Sequence, residues 1–138
     1  MKLITFTQGS ATRIGILDGA AIVDLSVATP SLPRDMCAFL AAGTEALAAA
    51  KHAVGSSTAR VALTDAKLEA PILRPPKILA VGLNYKDHIA ETGNKTPEVP
   101  MIFNKQSTAV NSPNGGIHLP RASEQLDYEG ELAVVIGR

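Results

Sequence analysis

The stretch Pro71-Ile72-Leu73-Arg74-Pro75-Pro76 constrains this chain more than any other. Three prolines in six residues remove three backbone donors, and each pushes the residue before it toward extended geometry. Neither a helix nor a central strand can run through such a stretch. The chain is therefore expected to fold as two pieces, an N-terminal module over residues 1–70 and a second domain from 71 to 138.

The first piece changes period once. Leu3 to Phe6 and Arg13 to Leu17 are short β-like runs, and Asp18-Gly19 marks a turn before Ala21-Ile22-Val23-Asp24-Leu25, which together read as a hairpin. From Pro33 onward Met36, Phe39 and Leu40 recur at helical spacing, and Gly43 ends the run. Glu45 to Ala50 is an Ala-rich helix with Thr44 as its expected N-cap. Val61-Ala62-Leu63 returns to a β-like pattern. His52 ends the Ala-rich helix with no acidic partner near it, so it is expected to be exposed.

Beyond the prolines, Lys77 to Gly82 is an apolar strand running into a turn. Asn84 is expected to cap a short helix through Asp87, Ile89 and Ala90 that closes at Gly93. Further strands are expected at Met101-Ile102-Phe103 and around Ile117-His118-Leu119, with the turn Asn111-Ser112-Pro113-Asn114-Gly115-Gly116 between them. His118, in an apolar run, is expected to be packed. Tyr128 to Ile136 alternates and then becomes continuously apolar, as a mostly buried strand does.

Composition narrows the functions open to such a chain. Thirteen basic and thirteen acidic residues cancel, aromatic content is 4% and tryptophan is absent. That leaves no electrostatic or stacking surface for nucleic acid, nor a patch for an anionic membrane. With 46% hydrophobic residues in 138, there is material for one ordinary core or two small ones. No apolar stretch approaches the roughly 20 residues that span a bilayer, and the N-terminus turns polar too soon for a signal-peptide core. The expectation is a cytoplasmic protein. Cys37 is the single cysteine, so no intrachain disulfide can form. Phosphate loops of the usual spacing, nucleophile elbows and Cys-x-x-Cys pairs are absent.

Three places could carry chemistry. In Asp127-Tyr128-Glu129-Gly130-Glu131-Leu132, strand alternation would put Glu129 and Glu131 on one face, where two carboxylates could converge on a hard cation. Alternate glutamates also suit an exposed strand face, but these two lead straight into an apolar run, where like charges repel unless compensated. His88 and Glu91 lie three apart on the short helix, close enough for a carboxylate to orient an imidazole that acts as general base; a surface helix with polar residues has the same spacing. Lys105, at the end of the strand from Met101, could meet a substrate carboxylate, or be an ordinary surface lysine.

Together Gly82-Leu83-Asn84-Tyr85-Lys86-Asp87-His88, Phe103-Asn104-Lys105 and Asp127-Tyr128-Glu129-Gly130-Glu131-Leu132 resemble the fumarylacetoacetate hydrolase family, in matching order and spacing. The resemblance covers residues 71 to 138 most specifically. It implies an α+β protein whose small N-terminal module precedes the start of a β-rich, rolled-sheet catalytic domain, commonly a homodimer. It further implies Mg²⁺ or Mn²⁺ held by Glu129 and Glu131, a water-activating dyad of His88 and Glu91, and Lys105 on the substrate. The implied reaction is metal-dependent cleavage of a C–C bond in a small acylpyruvate; decarboxylation or isomerisation of related oxo acids is the alternative, and a non-catalytic binding or dimerising module is another. The family adds a third acidic ligand further along the chain than Arg138, so the sequence reads as truncated and inactive by itself.

Overall fold

The structure, a computed structural model, describes residues 1–136. It divides into two compact units: Met1–Ile72 together with the segment from Asn111 onward, and Leu73–Val110. Helix and strand are mixed in it, as the α+β expectation requires.

Strands β1 (Lys2–Gln8), β2 (Ala11–Asp18) and β3 (Ala21–Asp24) form an antiparallel meander. Both connections are two-residue loops whose first member is a glycine at φ +60°, Gly9 and Gly19. That is the conformation a II′ hairpin turn demands and that a Cβ opposes. The hairpin at Asp18-Gly19 forms as expected; the one at Gly9 carries the same kind of signal and completes the meander.

Two short strands flank the meander, β4 (Arg60–Ala62) beside β3 and β5 (Lys67–Glu69) beside β1, giving the order β4-β3-β2-β1-β5. Only residues 63–66 connect these two edges, and Leu63–Asp65 form a tight 3-10 turn. Laid flat, four strand spacings would separate the edges by about 19 Å. Five extended Cα steps reach at most about 18 Å, and a 3-10 turn reaches less. The sheet must therefore curl.

The two faces of this sheet are buried differently. Ile14, Ile16 and Val23 pack on one face against Met36 and Phe39 of α2 (Met36–Ala41) and Ala46, Ala50 and Ala53 of α3 (Gly43–Ser56). The three alanines recur at one face of a helix and let it approach the sheet closely. Phe6 and Ile22 lie on the other face, outside that cluster, yet are 0% exposed. Curling accounts for this, and Gly15 shows how tight it is: an added Cβ would stand 2.6 Å from Ile22 Cγ2 and 2.9 Å from the Val23 carbonyl oxygen.

Buried Asp24 ties the sheet to the helices. One carboxylate oxygen accepts from Ser26 N at 2.9 Å and Ser26 Oγ at 2.6 Å, capping α1 (Leu25–Ala28). The other meets Arg13 Nη1 at 3.0 Å. The Arg13 guanidinium lies 5.2 Å from the centre of the Phe6 ring, and its Nη2 donates to Gln8 Oε1 at 2.8 Å. At the β1–β5 edge, Glu69 is held below the usual carboxylate range, first by the hydrogen bond from Lys67 and then by that from Thr7.

Helix starts differ from expectation. Gly43, at φ +77°, does end α2, but α3 begins at that same residue, with Ala42 at its N-cap and no side-chain cap. Thr44 therefore sits inside the first turn. His52 is exposed, as expected.

In the second unit, β6 (Ile78–Gly82) pairs antiparallel with β7 (Met101–Lys105), and α4 (Lys86–Glu91) lies between them in sequence. Tyr85, not Asn84, occupies the N-cap of α4, and no side-chain cap bond is made. The other end is closed as Gly93 foretells. Gly93, at φ +66°, donates to Ala90 O at 3.2 Å, and Asn94 N donates to Ile89 O at 3.2 Å, the paired bonds of a Schellman motif.

Residues 111–136 contain the expected turn, with Gly115 N donating to Ser112 O at 3.0 Å, but neither expected strand. Ile117-His118-Leu119 is irregular and His118 is exposed rather than packed. Tyr128 to Ile136 is irregular too, with Leu132 at 89% and Ile136 at 87% exposure. An extended segment becomes a strand only when a ladder satisfies its donors and acceptors, and no described strand pairs with these residues. No helix among the described residues is long and apolar enough to cross a membrane.

Candidate functional site

The second unit carries three of the five candidate residues. The β6–β7 ladder runs from Ile78 opposite Lys105 to Gly82 opposite Met101. The chain leaves this ladder at Gly82 and enters α4, which presents His88 and Glu91 three residues apart, both exposed. Apart from its buried Ile89, the helix is polar and open.

Lys105 closes β7 at the other end of the ladder, opposite the start of β6. Its ammonium lies 5.1 Å from the centre of the Phe103 ring, a cation–π contact with its neighbour on the same strand face. Among the described residues no hydrogen bond or ion pair joins His88, Glu91 and Lys105 to one another. The unit thus supplies an exposed imidazole with a carboxylate one helical turn away, and an exposed cation anchored to a strand.

Glu129 and Glu131 belong to the other unit, in the irregular segment after Asn111. Both are exposed and neither forms an ion pair among the described residues. The alternation that would turn both carboxylates one way needs a strand, and the segment is not one here. Among the described residues, no group of three or more His, Cys, Asp or Glu side chains gathers to hold a metal ion.

One feature of the α4 approach escaped the sequence reading. Leu83 has φ 52°, the left-handed region, and no glycine marks the position.

Comparison with known proteins places these segments. The family model described as fumarylacetoacetate (FAA) hydrolase C-terminal matches residues 77–138. The chain is 39% identical, over 142 aligned residues, to a mitochondrial oxaloacetate tautomerase of Xenopus laevis, covering 100% of this chain and 44% of that protein. It is 36% identical to a fumarylacetoacetate hydrolase domain-containing protein 2 homolog of Dictyostelium discoideum, covering 100% of this chain and 47% of that protein. The chain thus spans less than half the length of these relatives. Among solved structures it is similar to maleylpyruvate hydrolase from Sphingobium sp. SYK-6 in complex with manganese(II) and pyruvate. That match has a TM-score of 0.66 and 28% identity, covering 88% of this chain and 43% of that one. A putative HpcE protein from Mycobacterium smegmatis matches with the same TM-score, 0.66, at 28% identity, covering 88% of this chain and 41% of that one.

Proposed function

The chain belongs, through residues 77–138, to the fumarylacetoacetate hydrolase family, and from that premise we propose that the protein acts on a small, enolisable 2-oxo acid with a divalent cation. One observation carries the reading: 39% identity along the whole chain to a protein named for tautomerising oxaloacetate. The neighbour holding manganese(II) and pyruvate supports the same ligand chemistry, a 2-oxo acid beside a divalent ion.

Glu129 and Glu131 offer hard carboxylate oxygens not engaged in ion pairs among the described residues, a donor type that suits Mg²⁺ or Mn²⁺. Two carboxylates leave the remaining positions of such an ion to water, substrate or further ligands. The bound ion supplies Lewis-acid polarisation of the oxo group. His88 moves the proton at the carbon beside the carbonyl, and Glu91, on the same helix face, orients its imidazole. Lys105 binds the substrate carboxylate.

Both reactions need a base while charge passes to the oxo oxygen: tautomerisation takes the proton from the carbon beside the carbonyl, whereas hydrolysis takes it from the water that adds to the acyl carbonyl before the C–C bond breaks. Tautomerisation is placed first because the relatives named for it are 34–39% identical, against 28% for the maleylpyruvate hydrolase. Cleavage of an acylpyruvate is the second reading, and that neighbour favours it. The exposed apolar residues of β7 and of 117–136 support self-association as a homo-oligomer, and the balanced charge with few aromatics speaks against nucleic acid or an anionic membrane as a partner. The proposed compartment is the cytoplasm, whereas the relatives named as oxaloacetate tautomerases are named as mitochondrial.

Calorimetric titration with Mn²⁺, with and without pyruvate, tests the core of this reading. The intact protein should bind the ion and Glu131→Gln should weaken binding clearly; equal binding by both would overturn it. Metal-dependent turnover of enol-oxaloacetate and of maleylpyruvate, measured side by side, ranks the two reactions.

A further inference from the structure

Between Gly82, the last residue of β6, and Lys86, the first of α4, stands the only non-glycine residue with positive φ among those described, Leu83 at φ 52°. Residues with a Cβ enter this region at a cost, and glycine or asparagine usually fills it. Asparagine is the next residue, Asn84, so the cheaper type sits one position away from the bend.

Two observations make that backbone consequential. Gly82 stays in the ladder opposite Met101, and an added Cβ there would lie 3.3 Å from Met101 Cε, so the reversal falls on Leu83. The helix that follows has six residues, too few to hold itself, and no side-chain cap bond fixes its entry. Ile89 anchors its middle and Gly93 closes its far end. The turn through Leu83 joins it to β6.

We infer that Leu83 is a positioning residue: its left-handed backbone, and not its half-buried side chain, holds α4 and thereby His88 at the C-terminal end of β6. This rests on the reading that gives His88 the proton, but the placement of α4 is measurable without turnover.

A crossed pair of variants separates backbone from side chain. Leu83→Ile keeps volume and apolarity but adds a β-branch, for which positive φ is a genuine outlier. Leu83→Asn gives up the apolar side chain and tolerates the left-handed region. Two NMR readouts on the whole chain follow α4. One is hydrogen exchange at Ile89 N, which donates to Tyr85 O at 3.0 Å. The other is the ring resonance of His88, with His52 and His118 as internal controls.

Leu83→Ile should lower protection at Ile89 roughly tenfold and shift the His88 ring resonance, with the two control histidines unmoved. Leu83→Asn should leave both readouts near wild type. The reverse order, or equal effects of the two variants, would overturn the inference, because side-chain packing would then set the helix. In the metal-loaded enzyme Leu83→Ile should lower kcat with KM little changed. A shifted His88 resonance with undiminished kcat upholds the positioning and counts only against the proton role of His88.

Discussion

Asp24→Ala should destabilise the N-terminal unit by about 3 kcal/mol, the sum of two losses that can be separated. The carboxylate caps α1 through Ser26 N at 2.9 Å, and losing an N-cap acceptor costs about 1 kcal/mol. Its second oxygen faces Arg13 Nη1 at 3.0 Å. Stripping one partner from a buried pair costs about 3–5 kcal/mol when both charges are dry. Here the Arg13 side chain keeps 22% exposure and Gln8 still accepts from it, so about 2 kcal/mol is the appropriate share. Asp24→Asn, which can keep the cap, should cost only that second share. Arg13→Met combined with Asp24→Ala should recover most of it, since an apolar pair leaves no charge stranded against Phe6. The assay is urea unfolding followed by far-ultraviolet circular dichroism. Fluorescence would not report this unit's core, because the chain has no tryptophan and its two tyrosines, Tyr85 and Tyr128, are both exposed and lie outside the sheet. A cost below about 1 kcal/mol for Asp24→Ala, or no recovery in the double variant, would refute the reasoning.

Gly15→Val should unfold or severely destabilise the curled sheet, because even a single Cβ would meet Ile22 Cγ2 at 2.6 Å; an unchanged melting temperature would show that the curl can open. Glu69 has a folded-state pKa below its ordinary 4.5, so it contributes stability above that value and loses it as pH falls through the lower folded value. The stability gap between wild type and Glu69→Gln should accordingly hold constant at neutral pH and shrink in acid, and a gap that widens in acid would reverse the assignment. His88→Ala in the metal-loaded enzyme should lower kcat by roughly 10²–10⁴-fold with Mn²⁺ binding little changed, whereas full turnover would put the base elsewhere.

What the sequence by itself determined here is what local backbone chemistry controls. The hairpin at Gly19, the end of α2 at Gly43 and the close of α4 at Gly93 all follow from φ angles that a residue without Cβ adopts freely. The same holds for the irregular backbone at 71–76, where prolines withhold donors. The motifs around His88, Lys105 and Glu131 were legible as a family signature because chemistry leaves residue types at set spacings. Caps were less legible, since several polar residues near a helix start compete: Thr44 and Asn84 looked suitable, while Asp24 and Asp35 make the side-chain caps that form. Only the tertiary structure decided the curl, which follows from residues 63–66 joining strands at opposite edges of one sheet. The left-handed bend at Leu83 is likewise tertiary, because no residue type announces it. The run from Tyr128 to Ile136 shows the limit most plainly. Its pattern is that of a buried strand, yet burial and strand both require a neighbour to pair with, and a one-dimensional pattern cannot supply the partner's hydrogen bonds.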